Sequence, residues 1–164
     1  MRSIELVFDD STDSAIRADW SRLAAAGIPS LAGHTSPSNS PHITLAAGSD
    51  LPLAGHARLW EELPLDVELP GVQVFAAGSG KYVLARSVLM TAALFGLHRS
   101  LHEGLPEALP LTRPDAWTPH VTLGRRVPAA LMGTAMDLLE LRLQGRCTGA
   151  RMWDSEARTI TRLA

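Results

Sequence analysis

Cysteine is almost missing from this chain. Cys147 stands alone, which excludes a disulfide framework and every zinc site built on several thiolates. Long apolar runs are missing too. The stretch Val88–Leu97 is interrupted by Thr91 and falls well short of the roughly 20 residues a membrane-spanning helix needs. The first residues, MRSIELVFDD, lack the apolar core and small-residue cleavage site of a secretory signal. The expected location is therefore cytoplasmic, with no membrane contact. Neither charge sign is in excess: 15 Lys and Arg against 17 Asp and Glu leave a net −2. A wholly basic protein that coats long nucleic acid is excluded, while a local basic patch stays open.

What is present is an ordinary globular balance, 164 residues with 46% apolar and 20% charged. The whole of 1–164 is expected to fold as one domain that needs no disulfide or metal staple. Strand and helix alternate closely. Ser3–Phe8 reads as a strand, and Ser11 as the cap of a helix in which Ile16, Trp20 and Leu23 recur at helical spacing until Gly27 and Pro29 end it. Ser30–Ser40 is a loop rich in Ser, Gly and Pro, and His42–Ala46 a short strand. A helix near Leu53–Leu63 carries Ala57 and Trp60.

The middle of the chain reads as consecutive antiparallel strands, Asp66–Leu69, Val72–Ala77 and Tyr82–Leu89, joined at Pro70-Gly71 and Gly78-Ser79-Gly80. A helix from Thr91 to Leu105 follows, with Leu94, Leu97, Leu101 and Leu105 on one face. After the loop Pro106–Pro119 come a strand at His120–Gly124 and a helix at Pro128–Leu139 opened by its proline. Strands near Leu141–Thr148, Arg151–Trp153 and Thr159–Leu163 close the chain. The mixed order indicates an α+β fold rather than a doubly wound parallel one.

One short pattern occurs twice. Residues 41–45 read Pro-His-Ile-Thr-Leu and residues 119–123 Pro-His-Val-Thr-Leu, the two histidines 78 positions apart. On a strand, side chains two apart share a face. His42 with Thr44, and His120 with Thr122, therefore project together, while Ile43, Leu45, Val121 and Leu123 anchor the opposite faces. Packing alone accounts for those apolar positions but not for the polar pairs. If the halves pack about a rough two-fold axis, four polar side chains converge on one cleft.

Such a set suits reaction at phosphorus. An attacking oxygen loses a proton and a leaving oxygen gains one, and imidazoles titrating near ~6.5 do both at neutral pH. Threonine hydroxyls can donate to the non-bridging oxygens where charge accumulates.

These residues give the chain its resemblance to the 2H phosphoesterases, and within them to the bacterial RNA 2′,3′-cyclic phosphodiesterases also called 2′–5′ RNA ligases. The resemblance runs from the opening strand through the first motif, Tyr82–Arg86, Leu97-His98-Arg99 and Trp117–Arg125. It implies two pseudo-symmetric lobes with antiparallel sheets, flanked by helices, around a central cleft. It also implies hydrolysis of 2′,3′-cyclic phosphate ends of RNA or small cyclic nucleotides to 2′-phosphates. The two-histidine scheme needs no metal or other cofactor, and with no nucleotide triphosphate site visible no ATP is expected. The alternatives are 2′–5′ RNA joining, hydrolysis of another cyclic phosphodiester, and a phosphate- or RNA-end-binding module without turnover. Carried over, His42 and His120 are the acid and base, in an order the near-symmetry leaves open. Thr44 and Thr122 hold the phosphate, Arg125 neutralises it, and Arg126 is read as a solvated charge. The expected state is a monomer. The chain departs from many relatives in being short and in having only four Trp, three Phe and one Tyr. A nucleotide or oligonucleotide end is therefore expected rather than a long RNA track.

Other candidates fall away. His98 and His102 have the i, i+4 spacing of zinc ligands, but Arg99 stands where a zinc protease has its Glu, so both are read as structural or surface residues. His34 and His56 have no partner motif. Gly80-Lys81 lacks the remaining residues of a phosphate loop, with Phe75 and Tyr82 at those places. Tyr82 and Trp117 suit core packing as well as base stacking.

Overall fold

The first strand is an inner strand of its sheet, paired on both sides. In the computed structural model, which describes residues 1–36, 38–52 and 57–164, β1 (Arg2–Phe8) buries Ile4, Leu6 and Phe8. It pairs antiparallel on one side with β2 (His42–Gly48) and on the other with β7 (Leu143–Asp154). β7 also carries β3 (Leu65–Leu69) and β8 (Thr159–Arg162), completing a five-stranded sheet of order β2-β1-β7-β3 with β8 paired to β7. A second, three-stranded sheet has the order β4 (Val72–Ala76), β5 (Lys81–Ser87), β6 (His120–Pro128). Every pairing is antiparallel, and the fold is α+β as its sequence indicates.

Helix α1 (Asp10–Ala25) turns Ile16, Trp20 and Leu23 inward. Its cap is Asp9, whose carboxylate accepts from the Thr12 amide at 2.9 Å, and not Ser11. The acid fits better at this earlier position because it also meets the positive end of the helix. Helix α2 (Ala92–His102), capped by Thr91, buries Leu94, Leu97 and Leu101. Leu105 lies past its end yet is also buried. Among the described residues no helix is long and apolar enough to cross a membrane.

Four expectations need correction. The described part of the anticipated 53–63 helix is a tight 3₁₀ segment, Ala57–Glu62, and residues 53–56 lie outside the described residues. The strands around Pro70-Gly71 are not a hairpin, because β3 pairs with β7 and only β4 and β5 pair with each other. That turn instead carries the chain from one sheet to the other. The helix expected from Pro128 gives way to a longer β6, a 3₁₀ turn at Ala129–Leu131 and a short α3 (Met132–Asp137). The two strands anticipated over 141–153 are one continuous β7, whose Cys147 and Ala150 are core residues.

The two sheets thus each end in a motif strand, β2 at the edge of one and β6 at the edge of the other, and these two edges are in contact. Gly124 lets the chain that follows α1 pack closely on β6. A β-carbon there would run into the Pro29 carbonyl, which crosses β6 shortly after α1 ends.

Candidate active site

Each motif histidine is held in the same way. His42 Nδ1 lies 2.8 Å from the Ser40 carbonyl, and His120 Nδ1 lies 2.7 Å from the Thr118 carbonyl. A carbonyl only accepts, so both Nδ1 atoms donate, which leaves Nε2 of each ring to receive or deliver a proton. The motif threonines are fixed through their own backbones. Trp117 Nε1 donates to the Thr44 carbonyl at 2.9 Å, and Trp20 Nε1 to the Thr122 carbonyl at 3.1 Å. Each motif strand is therefore tied by an indole from the other half of the chain.

The polar faces open onto two adjoining cavities. One, about 420 Å³, is lined by His42, Thr44, Glu5, Asn39, Arg125 and Arg151 among others. The second, about 540 Å³, is lined by His120, Thr122, Thr44, Arg125, Phe75 and Trp117 among others. Thr44 and Arg125 belong to both, at the junction between the imidazoles. Arg126 lines neither cavity and is exposed. Tyr82 is absent from both linings as well.

The two rings differ in their surroundings. Burial holds the His120 imidazole below the ordinary histidine range, and the charges of His42 and Arg125 add to that, while the bond to Thr118 opposes it. Phe75 packs against the ring with centroids 4.8 Å apart. On the other side, Glu5 Oε1 stands 3.7 Å from His42 Nε2. This carboxylate is only 3% exposed; it accepts from the Ser3 hydroxyl at 2.6 Å and from Arg151 Nε at 2.8 Å. A protonated His42 thus has a counter-charge beside it, whereas among the described residues no carboxylate pairs with His120.

Residues 12–158 match the model of the 2′-5′ RNA ligase superfamily. The chain belongs to that superfamily. Two solved structures share its fold, that of the 2H phosphoesterases. TT0787 of Thermus thermophilus superposes with a TM-score of 0.61 at 19% identity, covering 100% of this chain and 96% of its own. Usb1 of Kluyveromyces marxianus, solved with uridine monophosphate, gives 0.50 at 14% identity over 99% of this chain and 96% of its own. No curated protein matches the chain.

In this superfamily member, His98 and His102 are structural. The His98 ring stacks on Trp117, with centroids 3.7 Å apart and planes 2° from parallel. Its Nε2 faces the carbonyls of Leu45 (3.0 Å) and Thr112 (2.9 Å), and His102 Nε2 also reaches Leu45 at 3.0 Å. The pair therefore braces β2 directly behind Thr44. Among the described residues, no group of three His, Cys, Asp or Glu side chains is placed to hold a metal.

His98 is fully buried and, among the described residues, its Nδ1 has no hydrogen-bond partner. A proton on that atom would be an unpaired buried donor. Burial first, and then the neighbouring His102, accordingly lower the His98 pKa to about 4. Unfolded histidine takes up its proton near ~6.5, so between these values the unfolded chain binds more protons and stability falls as pH falls. The penalty approaches about 3 kcal/mol by pH 4. His102 and His120, also lowered by burial, act in the same direction. The carboxylates of Asp9 and Asp154, lowered from 3.8, lose their contribution only below that window. Urea unfolding at pH 7, 5.5 and 4 should show the decline, and His98→Phe should flatten it. A wild-type midpoint constant across this range contradicts the assignment.

Sequence pattern alone does not mark Phe75, Glu5 and Trp20 as site residues. Glu5 carried a signal, a lone carboxylate between Ile4 and Leu6, but only the β1–β2 register, which sets it opposite Thr44, brings it to the site.

Proposed function

We propose that this protein hydrolyses 2′,3′-cyclic phosphate ends of RNA or nucleotides to 2′-phosphates, with His120 as base and His42 as acid. The observation that carries this reading is the meeting of two His-x-Thr strands at one junction shared by Thr44 and Arg125. With the cyclic phosphate at that junction, His120 Nε2 takes a proton from water as its oxygen bonds to phosphorus. The bond from phosphorus to O3′ breaks, and O3′ takes the proton from His42 Nε2. The product carries a 2′-phosphate and a free 3′-hydroxyl, and exchange with solvent restores both rings. Arg125 and the hydroxyls of Thr44 and Thr122 meet the non-bridging oxygens, where fixed donors lower the barrier most.

The surroundings support this order of roles: the base must be neutral, and burial disfavours charge on His120, while the acid must be charged, and Glu5 faces His42. Residues from both sheets line these cavities, which supports reading the chain as a single functional domain. That Usb1 was solved with uridine monophosphate accords with a nucleotide-sized ligand.

One observation favours a second reading. The cavity beside His120, about 540 Å³, far exceeds the ~30 Å³ of a water. A 5′-hydroxyl of a second RNA end could be the nucleophile there, giving a 2′–5′ joint through the same proton transfers.

Turnover of 2′,3′-cyclic nucleotides and of cyclic-phosphate oligonucleotides in excess EDTA is the test. Activity is expected to persist undiminished with chelator. Loss of activity that returns on adding back a divalent metal would exclude a scheme that relies on the histidine pair alone.

A further inference from the structure

The cavity on the His42 side does not end there. His34, Ser36, Ser38 and Trp153 line it and also line a larger one, about 780 Å³, which continues to Ser155, Arg158 and Ile160. We propose that this continuation is a subsite for the nucleotide upstream of the reacting end, which makes an oligonucleotide end, rather than a mononucleotide, the preferred substrate.

The inference rests on the roles given above. If His42 protonates O3′, the ribose of the reacting nucleotide and the chain on its 5′ oxygen lie on the His42 side, where the groove runs. Its volume falls within the 300–1,000 Å³ usual for small-molecule pockets, so one further nucleotide can be accommodated. Its chemistry suits a nucleotide. The Ser36 and Ser38 hydroxyls bond each other at 2.7 Å, which leaves one proton of the pair for sugar or phosphate, and the Ser155 hydroxyl, donating to the Met1 carbonyl at 2.8 Å, can still accept from a ribose hydroxyl. The partly exposed Trp153 offers a stacking face, and among the described residues no carboxylate lines the wall.

Arg158 supplies the charge. Among the described residues it has no ion-pair partner, whereas the acids of its own turn are engaged elsewhere, Asp154 with Arg2 and Glu156 with the Met1 amine. Its backbone is left-handed (φ 55°) at the β7–β8 turn, a conformation uncommon for any residue but glycine. Arg158 lines the far end of the groove, where it can meet the next phosphate.

The experiment compares a four-nucleotide RNA with its mononucleotide, both as 2′,3′-cyclic phosphates for turnover and as 2′-phosphates for binding. Wild type is expected to favour the tetranucleotide at least tenfold in both. Arg158→Ala should reduce that preference about tenfold, as loss of a charged hydrogen bond does. It should also lower the slope of log affinity against log salt by about 0.7, as expected for one single-strand phosphate contact. Arg158→Lys should restore most of both. Arg158→Gly, which relieves the left-handed backbone, guards against a folding defect and should behave like alanine. Equal handling of the two substrates by wild type, or an unchanged preference in both Arg158→Ala and Arg158→Gly, overturns the subsite. Preferential binding of the tetranucleotide that depends on Arg158, without turnover of either compound, leaves the subsite standing and defeats the proposed reaction instead.

Discussion

Replacing His42 or His120 with alanine is expected to reduce turnover of 2′,3′-cyclic phosphates by about 10²–10⁴-fold, the usual worth of a positioned acid or base. Both rings are half-buried at a cleft wall rather than in the core, so the variants should unfold near the wild-type urea midpoint. The two groups act in one proton-transfer cycle, and the double variant is therefore expected to be little worse than the poorer single one.

The pH profile distinguishes their roles. The base must be unprotonated, so kcat/KM should rise with pH through a value below the 6.5 of ordinary histidine, because burial and the nearby His42 and Arg125 depress the His120 pKa. Arg125→Ala removes one of the depressing charges and should shift this acidic limb to higher pH, beyond any effect on KM. His120→Ala should abolish the limb in whatever activity remains. Unchanged turnover in both single variants, or an acidic limb that survives loss of His120, would rule out the paired-histidine scheme.

The candidate site was legible in sequence because it uses the strand period. His-x-Thr alternation fixes which side chains share a face whatever the tertiary arrangement, and repetition of the motif signals that two such faces meet. The α1 and α2 cores were legible for a similar reason, since Ile16, Trp20 and Leu23 and the leucines of α2 follow the helical period. What could not be read was pairing. Pro70-Gly71 looks like a hairpin turn, and only long-range competition by β7 for β3 shows that it is a crossing between sheets. Glu5 and Phe75 reach the site through register and packing across elements, which local pattern does not encode. The 128–139 helix failed as a propensity reading because pairing with β5 extends β6 to Pro128.

Arg86→Met is expected to destabilise the fold by about 3–5 kcal/mol, the usual cost of removing one partner from a buried ion pair. Arg86, 2% exposed on β5, donates through Nε to Asp19 Oδ2 at 2.6 Å and through a terminal nitrogen to the Glu140 carbonyl at 2.9 Å. Asp19, itself fully buried on α1, would be left with Arg22 alone. The urea midpoint should fall with the m-value unchanged. An apolar pair of similar size can replace a buried ion pair at little cost, so Asp19→Leu with Arg86→Met should recover most of the loss, whereas Asp19→Leu alone should itself destabilise by leaving the buried Arg86 without its carboxylate. The next residue after Asp19 gives the pair its bearing on the site, since Trp20 bonds the Thr122 carbonyl and fixes the His120 strand. If the ion pair sets where α1 sits against β6, the double variant will be stable yet slower in kcat, with KM little changed. If it serves stability alone, kcat will return together with the midpoint.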